Sequence, residues 1–389
     1  MLEEICKKEN CTGCGMCANL CSKQAIKMLE DKYGFVYPSI DNSLCVGCNL
    51  CRSKCPANQN ISRCCNIKKV YAAWNKNSKI RKNSTSGGVF SAIASNFIKG
   101  GGYVVGVVWD DSFLPEHVLT NDENDIVKFQ GSKYSQSNTG KIYHTIKEKI
   151  LEGEKVLFSG TPCQVAALKS FVGREHEKLY TIDLVCHGVP SNQALMKHYS
   201  SFGKEIENVH LRYKDPYWDY SFVKIEFKDM TTYQELTIND AYFNLFNIGY
   251  LLRSSCHNCQ YTSQCRTGDI TLADFWGYKA TGFKDINFNK GTSCICVNSQ
   301  KGQNIIDMLG ENVSHVEAEL ELAVQGNKCF TEPFRIEKQK VAQFWDDYVA
   351  GVSLVELNEK YCAKTFSIPK YLWLRRLYRK YRWVFKNGK

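Results

Sequence analysis

The sequence predicts a chain in two parts, a small cysteine-rich module followed by a larger mixed body of the α+β or α/β class. Two observations predict the module: 20 cysteines occur in 389 residues, and eight of them form two copies of one short motif near the start. The body is predicted because apolar strands alternate with helical segments after a polar linker. We place the module at 1–62, the body at 67–340 and a helical tail at 341–389.

The cysteine content does not indicate a secreted disulfide scaffold. Such scaffolds are small domains, whereas this chain has 389 residues, 43% of them hydrophobic and 12% aromatic, enough for ordinary cores. The stretch 1–8 has no apolar run, so we expect no signal peptide, and no later run is long enough for a membrane span. We therefore expect a cytoplasmic protein whose thiols are reduced and have another role than disulfide formation.

The amino-terminal module carries the spacing C-x2-C-x2-C-x3-C twice. Three thiolates of each run can ligate three irons of a 4Fe-4S cluster, while the fourth ligates the neighbouring cluster. The predicted ligands are Cys11, Cys14, Cys17 and Cys55 for one cluster, and Cys45, Cys48, Cys51 and Cys21 for the other. Structural zinc is the alternative, but zinc ribbons use two separated cysteine pairs. The module resembles bacterial two-cluster ferredoxins, which implies electron transfer.

The body is predicted from apolar runs, which indicate strands, and amphipathic segments, which indicate helices. Its first half alternates between the two, which predicts a mostly parallel sheet, with strands at 70–74, 103–109, 156–159 and 180–185 and helices at 87–98, 139–151 and 164–171. Its second half begins with strands and hairpins over 210–237. Further elements are predicted there, namely a helix at 240–252, strands at 270–275 and 293–298, and helices at 304–309, 337–348 and 354–360.

A second set of thiols lies in the body. Cys163 opens a helix just after one strand, and Cys186 follows the next, so both are expected at the carboxyl edge of the sheet. Cys256, Cys259 and Cys265 lie in a loop that could fold over that edge. Four of these five thiols could hold a third 4Fe-4S cluster. Buried free thiols, a nucleophile at Cys163 and a zinc site remain alternatives.

Three turns could hold phosphate or another part of a cofactor, although no G-x-G-x-x-G fingerprint occurs. The stretch 84–91, Ser-Thr-Ser-Gly-Gly-Val-Phe-Ser, opens a helix whose free N–H groups suit a phosphate. The stretch 131–134, Gly-Ser-Lys-Tyr, offers a turn with a cation, and Gly160 with Thr161 opens the Cys163 helix. Each signal alone is weak, because polar residues begin many helices.

These motifs follow one another in an order that resembles the coenzyme F420 hydrogenase/dehydrogenase beta-subunit family, in a bacterial-type form with a ferredoxin domain in front. The resemblance covers about residues 1–300. It rests on the motifs Ser86-Gly-Gly, Gly131-Ser-Lys-Tyr, Gly160-Thr-Pro-Cys-Gln, Cys186-His-Gly-Val-Pro-Ser, Cys256-His-Asn-Cys and Asp269-Ile-Thr-Leu-Ala-Asp-Phe-Trp-Gly. It implies an FAD enzyme that moves electrons between iron–sulfur clusters and a reducible substrate.

The resemblance also implies roles for individual residues. Cys163, Cys186, Cys256 and Cys259 match the ligands of the body cluster, and the role of Cys265 stays open. The segments matched to FAD contacts are Ser86, Gly87, Gly88, Gly131, Ser132, Lys133 and Tyr134, to which we add Gly160 and Thr161. Asp274 is expected near the flavin, Lys214 and Trp218 are expected to face substrate, and Lys133 could stabilise negative charge on the reduced flavin.

The predicted function is that of an anaerobic iron–sulfur flavoprotein. Iron–sulfur clusters carry single electrons, whereas a flavin can deliver two together, which gives the combination its chemical logic. We expect a ferredoxin or another low-potential protein as electron donor. Some relatives occur beside polysaccharide-assembly genes, so the expected acceptor is a small-molecule or glycan-linked substrate. The alternative is an electron-transfer adaptor for a partner reductase, without bound flavin.

The net positive charge of the chain comes almost entirely from its carboxyl-terminal residues. The net charge is +10, and residues 361–389 contain nine Lys or Arg and no acidic residue. A helix from Lys370 would place aromatic and aliphatic side chains on one face and arginines on the other, which suits the anionic inner face of a membrane. Docking on the protein's own body is equally favoured, and binding of nucleic acid is the least favoured interpretation.

Overall fold

The computed structural model describes residues 3–59, 65–173, 175–218, 220–277 and 290–362. The strands in chain order are β1 (Ile26–Glu30), β2 (Val36–Ile40), β3 (Lys69–Asn75), β4 (Tyr103–Trp109), β5 (Pro115–Thr120), β6 (Val156–Gly160), β7 (Leu179–Leu184), β8 (Ile206–Tyr217), β9 (Tyr220–Phe227), β10 (Thr232–Leu236), β11 (Ile270–Asp274), β12 (Ser293–Val297) and β13 (Val313–Glu317). The helices are α1 (Met16–Leu20), α2 (Leu50–Ser53), α3 (Ser78–Asn83), α4 (Val89–Lys99), α5 (Ile142–Leu151), α6 (Pro162–Val172), α7 (Asn192–Ser200), α8 (Ala241–Ile248), α9 (Gln300–Asp307), α10 (Leu320–Val324), α11 (Lys338–Val349) and α12 (Leu354–Tyr361).

The amino-terminal module has the small core that its length predicts. Its antiparallel hairpin pairs β1 with β2, and α1 and α2 each begin inside a cysteine motif. The module's own apolar cluster consists of Ile5, Ile26 and the cysteines at 17, 51 and 55, whereas Met16 and Phe35 are buried against the body. Because so little apolar surface is buried here, the module needs another source of stability, which bound clusters would supply.

The body is built on an eight-stranded sheet with the order β13-β3-β12-β11-β7-β6-β4-β5. Strands β4, β6, β7 and β11 are parallel neighbours, and the other pairings are antiparallel. The predicted mixed α/β fold class is confirmed, while the expectation of a mostly parallel sheet holds only for its centre. Because β3 runs in the same direction as the four central strands, five carboxyl ends meet at one edge.

Two helical layers cover the sheet. Along the central strands the side chains alternate between faces, so that Val104 and Leu157 pack with α4 and α9, whereas Val105 and Phe158 pack with α5 and α6. The predicted helices over 87–98, 139–151 and 164–171 correspond to α4, α5 and α6. This alternation is what continuous apolar strands in a doubly covered sheet require.

A third layer adds strands β8–β10 and late helices beside the sheet. The strands form an antiparallel meander, and its inner face packs against α7, α8, α11 and α12 in one large cluster. The expected boundary at residue 340 falls inside α11, whose Phe344, Trp345 and Tyr348 are buried in this cluster. Residues 341–362 therefore pack with the body, and the predicted basic helix from Lys370 lies outside the described residues.

One pair of cysteines departs from the expectation of reduced thiols. Cys65, at the end of the linker, is joined to Cys265 by a disulfide, with 3.9 Å between the Cα atoms. Sequence spacing could not reveal this pair because 200 residues separate the two thiols. Within the part of the chain that the structure describes, no helix is both long and apolar enough to cross a bilayer.

Candidate functional site

The carboxyl edge of the sheet gathers most of the predicted site residues. Gly160 ends β6 and leads through Thr161 into α6, where Cys163 occupies the first turn. Cys186 follows β7, and Asp274 is the last residue of β11. Parallel strands bring their carboxyl ends together, so residues up to 114 positions apart in sequence meet along one line.

The four predicted body ligands line one small cavity. Cys163, Cys186, Cys256 and Cys259 share it with Thr12 of the amino-terminal module. Burial raises the pKa of Cys163 to about 11 and that of Cys256 to about 12. Such thiols stay protonated at neutral pH unless a metal centre takes the proton's place, so the donor set suits a bound cluster.

The four body thiols stand around a cavity and do not converge on the position of a single metal ion. Among the described residues, no three Cys, His, Asp or Glu side chains converge as ligands of a single metal ion do. Ligands of a cubane each bind a different iron, so they stand around the cluster. Cys329, which the sequence did not single out, also lines this cavity and is 6% exposed.

A buried arginine separates this cavity from the amino-terminal thiols. The Arg253 side chain is 1% exposed and is in contact with the rings of Phe35 and Tyr37, with its Cζ atom 5.2 and 4.5 Å from their centroids. Its guanidinium donates to the carbonyl oxygen of Cys11 at 3.2 Å and to Oε1 of Gln136 at 2.8 Å. No described carboxylate lies within 4 Å of it.

A buried cation is stabilised by nearby negative charge, and the acidic groups that the structure describes near Arg253 are thiols. Arg253 lines the body thiol cavity, and its positive charge acts to lower the pKa of Cys11 and of Cys163. Thiolate-ligated clusters on both sides would provide the missing anions. The residues present therefore fit the predicted clusters, although no sequence signal marked Arg253.

Seven of the eight predicted amino-terminal ligands group around Cys17 and Cys51. Burial raises the pKa of Cys17, and the nearby thiols of Cys14, Cys11 and Cys55 add to the rise. Burial likewise raises the pKa of Cys51, with Cys48 and Cys21 as its charged neighbours. Each set thus contains one cysteine from the other motif, as the two-cluster ferredoxin pattern requires.

Cys6 is an additional thiol beside the first set. It hydrogen-bonds to Cys11 and Cys55, and this bond lowers the pKa of Cys11 to about 6. The sequence showed Cys6 only as an isolated thiol near the terminus. Its place against two predicted ligands depends on the fold of the module.

A large cavity lies on the other side of the Cys186 segment. Its volume is about 660 Å³, within the range of cofactor sites. It is lined by predicted cofactor residues from separate segments, namely Ser86, Gly88, Gly131, Ser132, Lys133, Tyr134, Gly160 and Thr161. The predicted residues Trp218 and Asp274 line it as well. Gly87 and Lys214 lie directly behind this lining.

The start of α4 forms one end of the cavity. Gly88 caps the helix in the left-handed conformation, with φ 78° and no side-chain cap. A β-carbon at Gly87 would lie 2.7 Å from the Ser293 nitrogen, so only glycine allows this close approach to β12. The first N–H groups of α4 therefore face the cavity without a side-chain acceptor, as a phosphate cradle requires.

The turn at 131–134 is tied to this cradle. The Ser132 nitrogen donates to Oγ1 of Thr85 at 2.7 Å. The Lys133 ammonium donates to three main-chain oxygens, those of Lys128, Gln130 and Gly131 at 2.9, 3.0 and 3.3 Å. These carbonyls engage all three ammonium protons, so Lys133 orders the turn, and its predicted catalytic role stays a prediction.

The Gly160–Thr161 turn differs from the α4 start. Thr161 and Gln164 form a reciprocal capping box, in which the Thr161 nitrogen donates to Oε1 of Gln164 at 3.0 Å. The hydroxyl of Thr161 lies 3.1 Å from the Cys163 sulfur. This turn therefore has its own internal hydrogen-bond partners. Gly160 and Thr161 line the 660 Å³ cavity, and the adjoining Cys163 lines the body thiol cavity.

Beside the cradle, the cavity lining carries an ion pair and stacked aromatic rings. Arg212 donates to the Asp274 carboxylate at 2.5 Å and to the Tyr134 hydroxyl at 3.4 Å. Trp218, 1% exposed, stacks on Trp276 with ring centroids 4.4 Å apart. Sequence reasoning missed Arg212 and Trp276, because their partners lie in a different segment of the chain.

Lys214 contacts the cradle from behind. Its ammonium donates to the carbonyl oxygen of Ser86, and the side chain is 5% exposed. Burial, together with the nearby cations of Arg81 and Arg212, lowers the pKa of Lys214 to about 7. Lys214 therefore supports the Ser86–Gly88 turn and does not line the cavity.

The two cavities share one wall. Residues 186–189 line both the body thiol cavity and the 660 Å³ cavity. His187 in this wall packs on Phe246 and Phe334, and among the described residues its buried Nε2 has no hydrogen-bond partner. Any group held by the four thiols would thus lie next to a group held in the large cavity.

The comparisons with known proteins agree with these two parts. Residues 10–59 match the model of a 4Fe-4S dicluster domain. Residues 70–143 and 153–321 match the amino-terminal and carboxyl-terminal models of the coenzyme F420 hydrogenase/dehydrogenase beta subunit. The predicted site residues all fall inside these three matched ranges, whereas Cys6, Cys329 and Phe334 lie outside them.

Several relatives come from Methanocaldococcus jannaschii. A coenzyme F420-dependent sulfite reductase is 22% identical over 90% of this chain and 55% of its own length. An uncharacterised protein is 26% identical over 46% of this chain and 57% of its own length. The chain thus spans little more than half the length of these two. An uncharacterised ferredoxin is 33% identical over 19% of this chain and 96% of its own length.

Among solved structures, the chain is similar to a chain in the F420-reducing nickel–iron hydrogenase complex of Methanosarcina barkeri. It is 16% identical, with a TM-score of 0.44, and the match covers 69% of this chain and 90% of that chain.

Proposed function

The chain belongs to the coenzyme F420 hydrogenase/dehydrogenase beta-subunit family, joined to a 4Fe-4S dicluster domain, and on that premise we propose an FAD-dependent oxidoreductase. It passes electrons from a ferredoxin-like donor through three 4Fe-4S clusters to FAD and on to a reducible substrate. The observation that carries the proposal is the wall of residues 186–189 shared by the thiol cavity and the large cavity.

Each bound group would have its own residues. The clusters would be held by the two amino-terminal cysteine sets and by Cys163, Cys186, Cys256 and Cys259. The FAD phosphates would meet the start of α4, and the turn at 131–134 would border the same cofactor. When bound, the clusters supply one-electron steps, and the flavin supplies the two-electron chemistry that a reducible substrate needs.

The protein's own side chains support this arrangement in three ways. Arg253 places a buried cation between the first cluster site and the body thiols. Gly87 and Lys214 hold the cradle against β12. The Arg212–Asp274 pair lines the same cavity, where a small-molecule or glycan-linked substrate could approach.

Anaerobic purification followed by iron, acid-labile sulfide and flavin analysis tests the proposal. We expect about twelve irons and one FAD per chain, as three cubanes and one flavin require. A chain with iron but without flavin would instead be an electron-transfer adaptor for a partner reductase. A chain with about eight irons and no flavin would overturn both the body cluster and the enzyme.

A single substitution separates the body cluster from the other two. Cys163→Ala removes one thiol from the cavity that Cys186, Cys256 and Cys259 also line. We expect the loss of about four irons, with the ferredoxin pair retained. Cys294→Ala is the matched control, since Cys294 is 0% exposed but lies in the core beside Cys296. Equal iron in the two variants would contradict the assignment.

A further inference from the structure

The two cysteine motifs present very different surroundings although their spacing is the same. The first cysteine loop, residues 10–16, faces the body, and the second cysteine loop, residues 44–50, follows the same pattern 34 positions later. Gly13 and Gly47 occupy equivalent positions with φ 64° and 67°. The repeat therefore provides an internal comparison of one backbone in two environments.

The body covers the first cysteine loop. A β-carbon at Gly13 would lie 2.6 Å from Nη2 of Arg253. The Cys14 carbonyl oxygen accepts from the Tyr143 hydroxyl at 3.0 Å, and Met16 is 1% exposed in the core beneath α5 and α6. In this loop only Asn10 is exposed, and Gly13, Gly15 and Met16 are buried.

The second cysteine loop is bare. No described atom lies within 4 Å of a β-carbon placed at Gly47, and Cys48 is exposed. Three large apolar side chains surround it, with Leu44 48%, Val46 64% and Leu50 43% exposed. They stand where the first loop has an asparagine, a threonine and the buried Met16. Exposed apolar side chains clustered in this way are typical of a binding surface.

The charges beside the second loop are mainly positive. Residues 21–28 and 41–59 carry Lys23, Lys27, Arg52 and Lys54 against the single carboxylate of Asp41. Among the described residues, none of these four cations forms an ion pair within 4 Å. Basic groups around an apolar patch favour a partner with the opposite surface charge.

We propose that the second cysteine loop is the docking surface for an acidic one-electron carrier protein, an inference that rests on the proposed function. The patch is defined as Leu44, Val46 and Leu50, and it surrounds the predicted ligands Cys45 and Cys48. A patch of this size suits a transient encounter, because redox partners bury small interfaces. The first cluster site then lies between this surface and the body.

The electron count fits repeated docking. Each reduced carrier gives up one electron and is oxidised by one unit, and the protein gains that electron. Two docking events therefore supply the electron pair that a two-electron acceptor takes up together with protons from water. A fast, weak encounter steered by charge serves such repeated delivery better than a tight complex.

Direct binding to the clustered holoprotein tests the surface. The probe is an oxidised acidic single-cluster ferredoxin carrying a fluorescent label, and anisotropy gives its Kd at low and high salt. Val46→Glu removes apolar surface and adds a repulsive charge, so we expect Kd to rise about tenfold or more. Val355→Glu on α12 is the matched control, since Val355 is 59% exposed, and its Kd should stay within about twofold of wild type.

The outcomes separate this inference from the proposed function. The docking surface is supported if Val46→Glu raises Kd while Val355→Glu does not, and if the wild-type Kd rises with salt. Equal Kd values for the two variants, or binding that does not respond to salt, would overturn it. A wild-type dimer that Val46→Glu dissociates in sedimentation would also overturn it, in favour of a second copy. Iron content measured on the same samples reports separately on the proposed function.

Discussion

Replacement of Arg253 by methionine is the most informative single change, because this residue lies between two predicted clusters. Its guanidinium donates to the Cys11 carbonyl oxygen at 3.2 Å, and it also lines the cavity of the body thiols. Methionine keeps much of the volume between Phe35 and Tyr37 but removes the charge. Reduction adds negative charge to a cluster, so loss of a neighbouring cation should make reduction less favourable.

The size of the effect follows from Coulomb's law. For a cluster charge centred roughly 8 Å from the guanidinium, the unit charge of Arg253 would contribute about 2 kcal/mol at an effective dielectric constant of about 20. For a one-electron couple this corresponds to about 90 mV, at about 59 mV for each tenfold change in the equilibrium constant. Arg253→Met should therefore lower the potentials of the first ferredoxin cluster and the body cluster by about that amount.

Redox titration monitored by electron paramagnetic resonance measures these potentials. Arg253→Lys keeps the charge and should stay near wild type. Arg81→Met is the control for loss of a buried arginine, since Arg81 is 6% exposed and donates to the Gly291 carbonyl oxygen, away from the thiols. Full iron content in Arg253→Met with potentials within about 20 mV of wild type would refute the electrostatic role.

Three further predictions concern the large cavity. Gly87→Ala should abolish flavin binding, because its β-carbon would meet the backbone of β3 and β12, and an unchanged flavin absorbance per chain would contradict the cradle. Asp274→Asn should lower the free energy of unfolding, measured by chemical denaturation, by about 3 kcal/mol, because Arg212 stays buried without its carboxylate. The control Asp229→Asn, at an exposed ion pair, should change that free energy little. Lys214 has a pKa lowered to about 7 by burial, so the unfolded chain binds more protons between about pH 7 and 10.5 and stability should rise with pH there. Lys214→Met should flatten that rise, and equal slopes for variant and wild type would exclude this contribution.

Local sequence predicted the elements that short-range patterns control. The strands and helices of the first half of the body were found within about three residues, because apolar alternation and helix-start residues act over a few positions. Strand β5 and helices α3 and α7 were missed. The antiparallel direction of the outer strands was also not predicted, because pairing depends on which distant strand lies alongside.

The sequence by itself predicted the cysteine sets of the amino-terminal module, since ligands of one cluster are expected within a short loop plus one residue of the partner motif. The tertiary structure alone decided which loop faces the body and which stays bare. It also decided that Arg253 reaches Cys11 across 242 positions and that Arg212 meets Asp274 across 62. Such contacts depend on the packing of whole elements, which residue spacing does not encode. Residue spacing within short loops thus predicted the ligands, whereas the fold decided where the predicted sites lie relative to the surface and to the large cavity.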